Sequence, residues 1–264
     1  MLNDHGESIY ASVWVLTKKN QLYKVESTGN IVIKSTVNFA IDITYSADKT
    51  LWVIPVKNRS ESDQIVYSDD EGKNWKGIDL QGIKISKISA THLGSCFLLT
   101  PQGSVYLIQK NGDIQKIFPE GTANELAVSP EGFIWIISRE KKPGGGNLVF
   151  WCTYGNFALQ LAYGQPVAKK ISAGPEGTAR IITIGGELAS LYVNRMGGLE
   201  TPGGEPFAKN IAASCRSNTI WTISSDNSKS KKYNVLKFWN PDVDHHMNWH
   251  TIPDIEPFVI AGGE

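Results

Sequence analysis

The sequence predicts an all-β fold, a six-bladed β-propeller of four-stranded antiparallel blades, on three observations. Apolar and polar residues alternate over short stretches separated by Gly, Pro, Asn, Asp and Ser, the pattern of strands and turns rather than helices. One strand-like motif recurs six times, with its key residues spaced by 38, 45, 38, 45 and 41 positions. A second motif, an apolar residue followed by a small one, precedes five of these six.

The recurring segments are SVWVLT (12–17), TLWVIP (50–55), SCFLLT (95–100), FIWIIS (133–138), TARIIT (178–183) and TIWTIS (219–224). Their key position holds Trp14, Trp52, Phe97, Trp135, Arg180 and Trp221. Upstream lie Ile43-Thr44, Ile88-Ser89, Leu126-Ala127, Ile171-Ser172 and Ile211-Ala212. Small residues at one register suit the strand nearest a central channel, where blades converge and bulky side chains clash. A third element, an apolar residue with an aromatic, follows as Leu22-Tyr23, Val66-Tyr67, Val105-Tyr106, Val149-Phe150 and Leu191-Tyr192; the last unit has Lys237-Phe238. A short fourth strand, such as DIQKIF (113–118), completes a unit. One such sheet exposes both faces, so six must stack to bury them.

The first unit lacks an upstream strand. PFVIAGGE (257–264) carries the missing pattern as Ile260-Ala261, so the C-terminal strand is expected to join the N-terminal blade and close the ring. The chain then reads as a single domain over 1–264.

Composition narrows the function. The 26 Lys and Arg balance 26 Asp and Glu, so nothing calls for a nucleic-acid partner. Cys96, Cys152 and Cys215 are odd in number and widely spread, which reads as buried thiols rather than a disulfide framework. No apolar run reaches the roughly twenty residues of a membrane span, and MLNDHGESIY lacks the pattern of a secretory signal, so a cytoplasmic location is expected.

AVSPEGFIWIIS (127–138) and TPQGSVYLIQKNGDIQKI (100–117) resemble the repeats of the tectonin, or tachylectin-type, propeller lectins. That resemblance implies a propeller that binds glycans or glycoconjugates without performing chemistry. SDDEGKNW (68–75) also fits an Asp-box, with Ser68, Asp70, Gly72 and Trp75 at the key places. Such a box shapes a hairpin turn: the Asp accepts backbone N–H groups, the Gly permits the turn and the Trp packs beneath.

No catalytic constellation is visible, so no enzyme activity and no cofactor are expected. A sialidase would need three arginines around a carboxylate and a tyrosine with an acidic partner. The chain offers only Arg59, Arg139, Arg180, Arg195 and Arg216, in no such setting. In DVDHHMNWH (242–250), His245, His246 and His250 could ligate a metal, but neighbours on a strand point to opposite faces, and a polar turn is the simpler reading. The repeated key aromatics read as inter-blade core. Arg180 interrupts them and either stacks on a ring or binds an anion.

The candidate ligand-binding residues are therefore Arg180 and the cations of three long hairpins in alternate units. VKNRSESDQ (56–64) supplies Arg59, REKKPGGGN (139–147) supplies Arg139 and Lys141, and SDNSKSKKYN (225–234) supplies Lys229 and Lys231. Equivalent hairpins emerge on one face of a propeller, so these cations are expected around a single rim. A lectin-like module is the first functional expectation, and a protein-interaction scaffold without a small ligand is the alternative.

Overall fold

A computed structural model describes residues 12–19, 21–28, 30–36, 40–55, 63–91, 93–143, 145–193, 208–213, 219–226, 233–239, 249–252, 255 and 257–262. Every regular element among them is a strand. The first group is β1 (Ser12–Thr17), β2 (Gln21–Glu26) and β3 (Ile31–Thr36). The second is β4 (Ala40–Tyr45), β5 (Leu51–Pro55), β6 (Gln64–Ser68) and β7 (Lys76–Asp79). The third is β8 (Lys87–Ala90), β9 (Cys96–Leu99), β10 (Val105–Ile108) and β11 (Ile114–Phe118). Next come β12 (Ala123–Val128), β13 (Phe133–Lys141), β14 (Asn147–Thr153) and β15 (Asn156–Leu161), then β16 (Val167–Ala173), β17 (Thr178–Thr183) and β18 (Leu188–Tyr192). The chain continues with β19 (Ala208–Ala213), β20 (Ile220–Asp226), β21 (Tyr233–Trp239) and β22 (His250–Ile252), and β23 (Pro257–Gly262) follows.

Neighbouring strands pair antiparallel, as the alternating patterns and tight turns require. Four sheets have four strands each: β4-β5-β6-β7, β8-β9-β10-β11, β19-β20-β21-β22 and β23-β1-β2-β3. The fold is thus a β-propeller of four-stranded antiparallel blades. In the last of these sheets the C-terminal strand pairs with β1, Trp14 opposite Ala261 and Val15 opposite Ile260.

The expectation of six separate blades is not met in the described residues, which form four four-stranded sheets. Residues 123–192 instead make one seven-stranded sheet, β12-β13-β14-β16-β17-β18 with β15 on β14. The join is a short pairing of Asn147 with Ala168 and Leu148 with Val167. Gly146 permits it. Its φ is 87°, and a Cβ there would lie 2.8 Å from the Cβ of Val167, so only glycine lets the strands approach.

The core lies between sheets. Trp52 packs with Ile88 and Leu98 of the following sheet, Phe97 with Leu126 and Ile136, Trp135 with Ile171 and Ile181, and Trp221 with Val15 and Ile260. All four side chains are fully buried. The repeated aromatic is therefore a wedge against the next set of strands, which for Trp135 belongs to the same seven-stranded sheet. Cys96 and Cys152 are free, buried thiols; burial pushes the Cys152 thiol up to about 12. Cys215 lies outside the described residues.

The turn at 68–75 forms as its residues dictate. The Asp70 carboxylate accepts the Asn74 N–H at 2.9 Å and the Ser68 hydroxyl at 2.6 Å, while the Ser68 oxygen accepts the Gly72 N–H at 2.8 Å. These hydrogen bonds, led by that from Ser68, hold the Asp70 carboxyl below the ordinary carboxylate range. Trp75 packs on the cluster around Val53 and Leu51.

Lys110, from the turn after β10, ties the same face to the neighbouring sheet. Its Nζ lies 2.6 Å from Asp69 Oδ1, 2.6 Å from Thr50 Oγ1 and 3.2 Å from Asp48 Oδ2. The Lys110 contact lowers the Asp69 carboxyl. For Asp48, burial acts in the opposite sense, but hydrogen bonds from Ser46, Thr50 and Lys110 outweigh it. These carboxylates stabilise the fold fully above their ordinary value of 3.8, and the effect is lost as pH falls through their depressed folded values. Lys110 itself loses hydration, yet its two carboxylates raise it, so its share is complete below 10.5 and lost as pH climbs through the raised value. Replacing Lys110 with Met should destabilise by about 1 kcal/mol at pH 7, a figure already reduced for solvent screening. Urea unfolding at pH 7 and at about pH 3 checks this; a deficit that does not shrink in acid would contradict it.

Candidate functional site at the channel mouth

Six strands converge on one centre. β23 lies against β4 and β19, β4 against β8, β8 against β12, β12 against β16, and β16 against β19. They line a cavity of about 110 Å³. The small residues expected there do more than avoid collisions. The Thr44, Ser89 and Ser172 hydroxyls accept the Ala90, Val128 and Ala213 N–H groups at 3.0, 2.9 and 2.9 Å. Each bond stitches one inner strand to the next, where a buried N–H left unpaired would cost about 1–3 kcal/mol.

The same strands share a distortion. In β4, β12, β16, β19 and β23 one residue is extra relative to the partner strand: Ile41, Asn124, Lys169, Lys209 and Phe258. A bulge interrupts alternation and re-aims the side chains beside it. The residues that follow the bulges of β4, β12, β16 and β19 are Asp42, Glu125, Lys170 and Asn210, and with Lys87 of β8 they line the cavity. Charge therefore alternates along four successive strands.

Glu125 is the hub of this ring. The Lys87 Nζ stands 3.5 Å from Glu125 Oε2, and the Lys170 ammonium donates to Oε1. Glu125 is the most sheltered of the three, with 13% of its side chain exposed against 31% and 30% for the lysines. Asp42 accepts the Ile88 N–H at 3.0 Å. Burial pushes its carboxyl above the usual range, against the pull of Lys87 and of that N–H. Burial also opposes the charge on Lys87, but Asp42 and Glu125 outweigh it and hold the ammonium above the ordinary lysine range. These groups satisfy one another.

The bulges lie at one common end of the inner strands. Ala40 pairs with Pro55, Ala123 with Ser138 and Ala208 with Ser224, so these three bulges sit toward the C-terminal ends of β5, β13 and β20. Among the bulge residues Asn124, Lys169, Lys209 and Phe258 are exposed, Phe258 to 46%. They occupy consecutive inner strands. Lys209 donates to Asn234 Oδ1 at 2.9 Å. Beside Asn124 and Lys169 a groove of about 410 Å³ runs over the β14–β16 join, with Ile137 and Ala168 along it and Lys141, Asn147 and Ile184 at its sides.

The sequence candidates distribute unevenly. Lys141 lines this groove. Arg139 is on the same face, but its guanidinium reaches the preceding blade and donates to the Pro101 and Ala123 carbonyls. Gly103 makes room for it: a Cβ there would lie 2.7 Å from Arg139 Nε. Arg180 is buried, 6% exposed, opposite Ser172 and Ser190 at the key position of β17. It stands away from the mouth, in the wedge position that the tryptophans fill in other blades. Arg59, Lys229 and Lys231 lie outside the described residues, as do His245 and His246. His250 stacks on Phe238 with ring centroids 4.9 Å apart. Among the described residues no group of three metal-ligating side chains occurs, and no helix is long and apolar enough to cross a membrane. The charged ring and the bulge row were not singled out from the sequence.

Fold and site together define a β-propeller with a polar channel mouth, and comparison with known proteins agrees on the fold. The solved structures similar to this chain include YCF48 bound to D1 peptide, 17% identical with a TM-score of 0.53, covering 93% of this chain and 79% of that one. YCF48 from Cyanidioschyzon merolae is 14% identical with a TM-score of 0.50, over 94% of this chain and 87% of that one. U3-55K is 13% identical with a TM-score of 0.58, over 94% and 79%. At these identities the likeness is one of fold alone. No family model matches the chain, and no curated protein matches it in sequence.

Proposed function

We propose that the protein is a non-catalytic, six-bladed propeller whose hairpin face binds a protein partner. The observation that carries this reading is the exposed bulge row, Asn124, Lys169, Lys209 and Phe258, set around a channel whose own charges are paired. Surfaces of that kind, cationic with an aromatic anchor, suit a polypeptide. That one similar propeller, YCF48, has been captured with a D1 peptide supports a peptide as the ligand class. The count of six rests on six inner strands, with the seven-stranded sheet read as two blades joined by β14 and β16. The ring is read as closed because β23 pairs with β1 while lying against both β4 and β19.

A protein partner is favoured over a glycan because Trp14, Trp52, Trp135 and Trp221, the natural sugar platforms, are all fully buried. A phage-displayed random peptide library and a glycan array, run in parallel on the purified protein, test the choice. A peptide consensus without glycan signal is expected. Glycan binding without a peptide consensus would replace this reading with the lectin one.

A further inference from the structure

The partner's chemistry is written in the bulge row. Lys169 and Lys209 occupy the same bulge position on adjacent inner strands, and both are exposed. Lys141 adds a third cation across the groove from Asn124. Among the described residues none of the three forms an ion pair. The acid that lines the groove, Glu125, is already held by Lys87 and Lys170 and lies deeper. Apolar surface flanks the cations on both sides: Phe258 is 46% exposed beyond Lys209, and Ile184 is 42% exposed beside Lys141. A bulge lifts a side chain out of the sheet's alternation, so each lysine stands forward of the channel wall instead of folding into it.

We infer that this arc takes an extended acidic segment of the partner, with carboxylates on Lys141, Lys169 and Lys209 and apolar side chains on Phe258 and Ile184. The inference rests on the protein-partner reading and narrows it to one class of sequence. Charge complementarity at such a rim speeds encounter and selects among partners, and it weakens as salt screens it. The amide groups of Asn124 and Asn147 each give one N–H to the Ser138 carbonyl, at 3.2 and 2.8 Å, which fixes both side chains along the groove.

The test pans the same random peptide library on the wild-type protein and on the Lys169→Glu/Lys209→Glu variant. Lys169→Gln/Lys209→Gln serves as a second variant if charge reversal lowers the melting transition. The expected result is a wild-type consensus of Asp or Glu with a flanking apolar residue. A synthetic peptide of that consensus should bind the variant about tenfold or more weakly, and should also weaken as salt is raised. A consensus without acidic residues, or equal binding by the variants, overturns the acidic-segment inference and leaves the protein-partner reading standing. A library that yields no consensus at all removes both.

Discussion

A chain truncated after residue 256 is expected to lose cooperative unfolding. β23 supplies the inner strand of the sheet that begins at the N-terminus, so its removal leaves the backbone of Val13–Leu16 without its partner. Val259, Ile260 and Ala261 are buried, and they belong to two core clusters, one around Trp221 and one around Trp14. Burying one Val or Ile side chain contributes about 1.5–3 kcal/mol, before the cavity left behind is considered. Two interfaces and one strand pairing together approach the whole stability of an ordinary domain, about 5–15 kcal/mol. Urea unfolding followed by tryptophan fluorescence should show a broad, shallow change in place of a sigmoid. A truncated chain with the wild-type transition would mean that β23 is dispensable.

Trp135→Ala is expected to cost about 3–5 kcal/mol, the usual loss for a large aromatic removed from a core. Trp135 is fully buried and sits in one cluster with Ile171 and Ile181 of the next unit, its ring 6.5 Å from that of Trp151. The strands on either side are hydrogen-bonded to one another, so they cannot slide inward to fill the gap. The melting temperature should fall by on the order of 10 °C. A loss below about 1 kcal/mol would show that the indole is not a wedge between the two halves of the seven-stranded sheet.

The fold was legible because its signals repeat. A Trp or Phe every forty or so residues cannot all be solvent-facing, and the apolar-small pair marks the inner strands wherever it occurs. β23 was found by the same pair, Ile260-Ala261. The site was much less legible. Attention to hairpin cations found Lys141 but passed over Lys169 and Lys209, since both lie in inner strands rather than in hairpins. A strict period of two fails at a bulge, because residues 41 and 42 are no longer on opposite sides of a regular pleat. A signal was nevertheless present: Ala40, Ala123, Ala168 and Ala208 each precede the apolar-small pair by three residues. The join at Gly146 was hidden for a different reason, since GGGN reads as a turn and only the backbone geometry reveals the close approach to Val167. Arg180 was correctly seen as the odd member of its set, but its burial depends on packing that no local pattern encodes.

The inner-strand stitches are unequal, so the sheets are not all joined in the same way. Hydroxyls tie β4 to β8, β8 to β12 and β16 to β19. Between β12 and β16 the position holds Ala127, and there the β14–β16 pairing acts as a weld. Ala212 and Ala261 offer no hydroxyl to the seams on either side of the β23-β1-β2-β3 sheet, and no strand pairing bridges those seams among the described residues. Four sheets thus share inner-strand ties, while the fifth is held to its neighbours by side chains farther out, Asn234 Nδ2 on the Pro257 carbonyl at 3.1 Å and Lys24 on Glu71 at 2.9 Å. Phe258 belongs to that fifth sheet and Lys169 to the others, so a ligand spanning the two would add a tie where the inner strands have none.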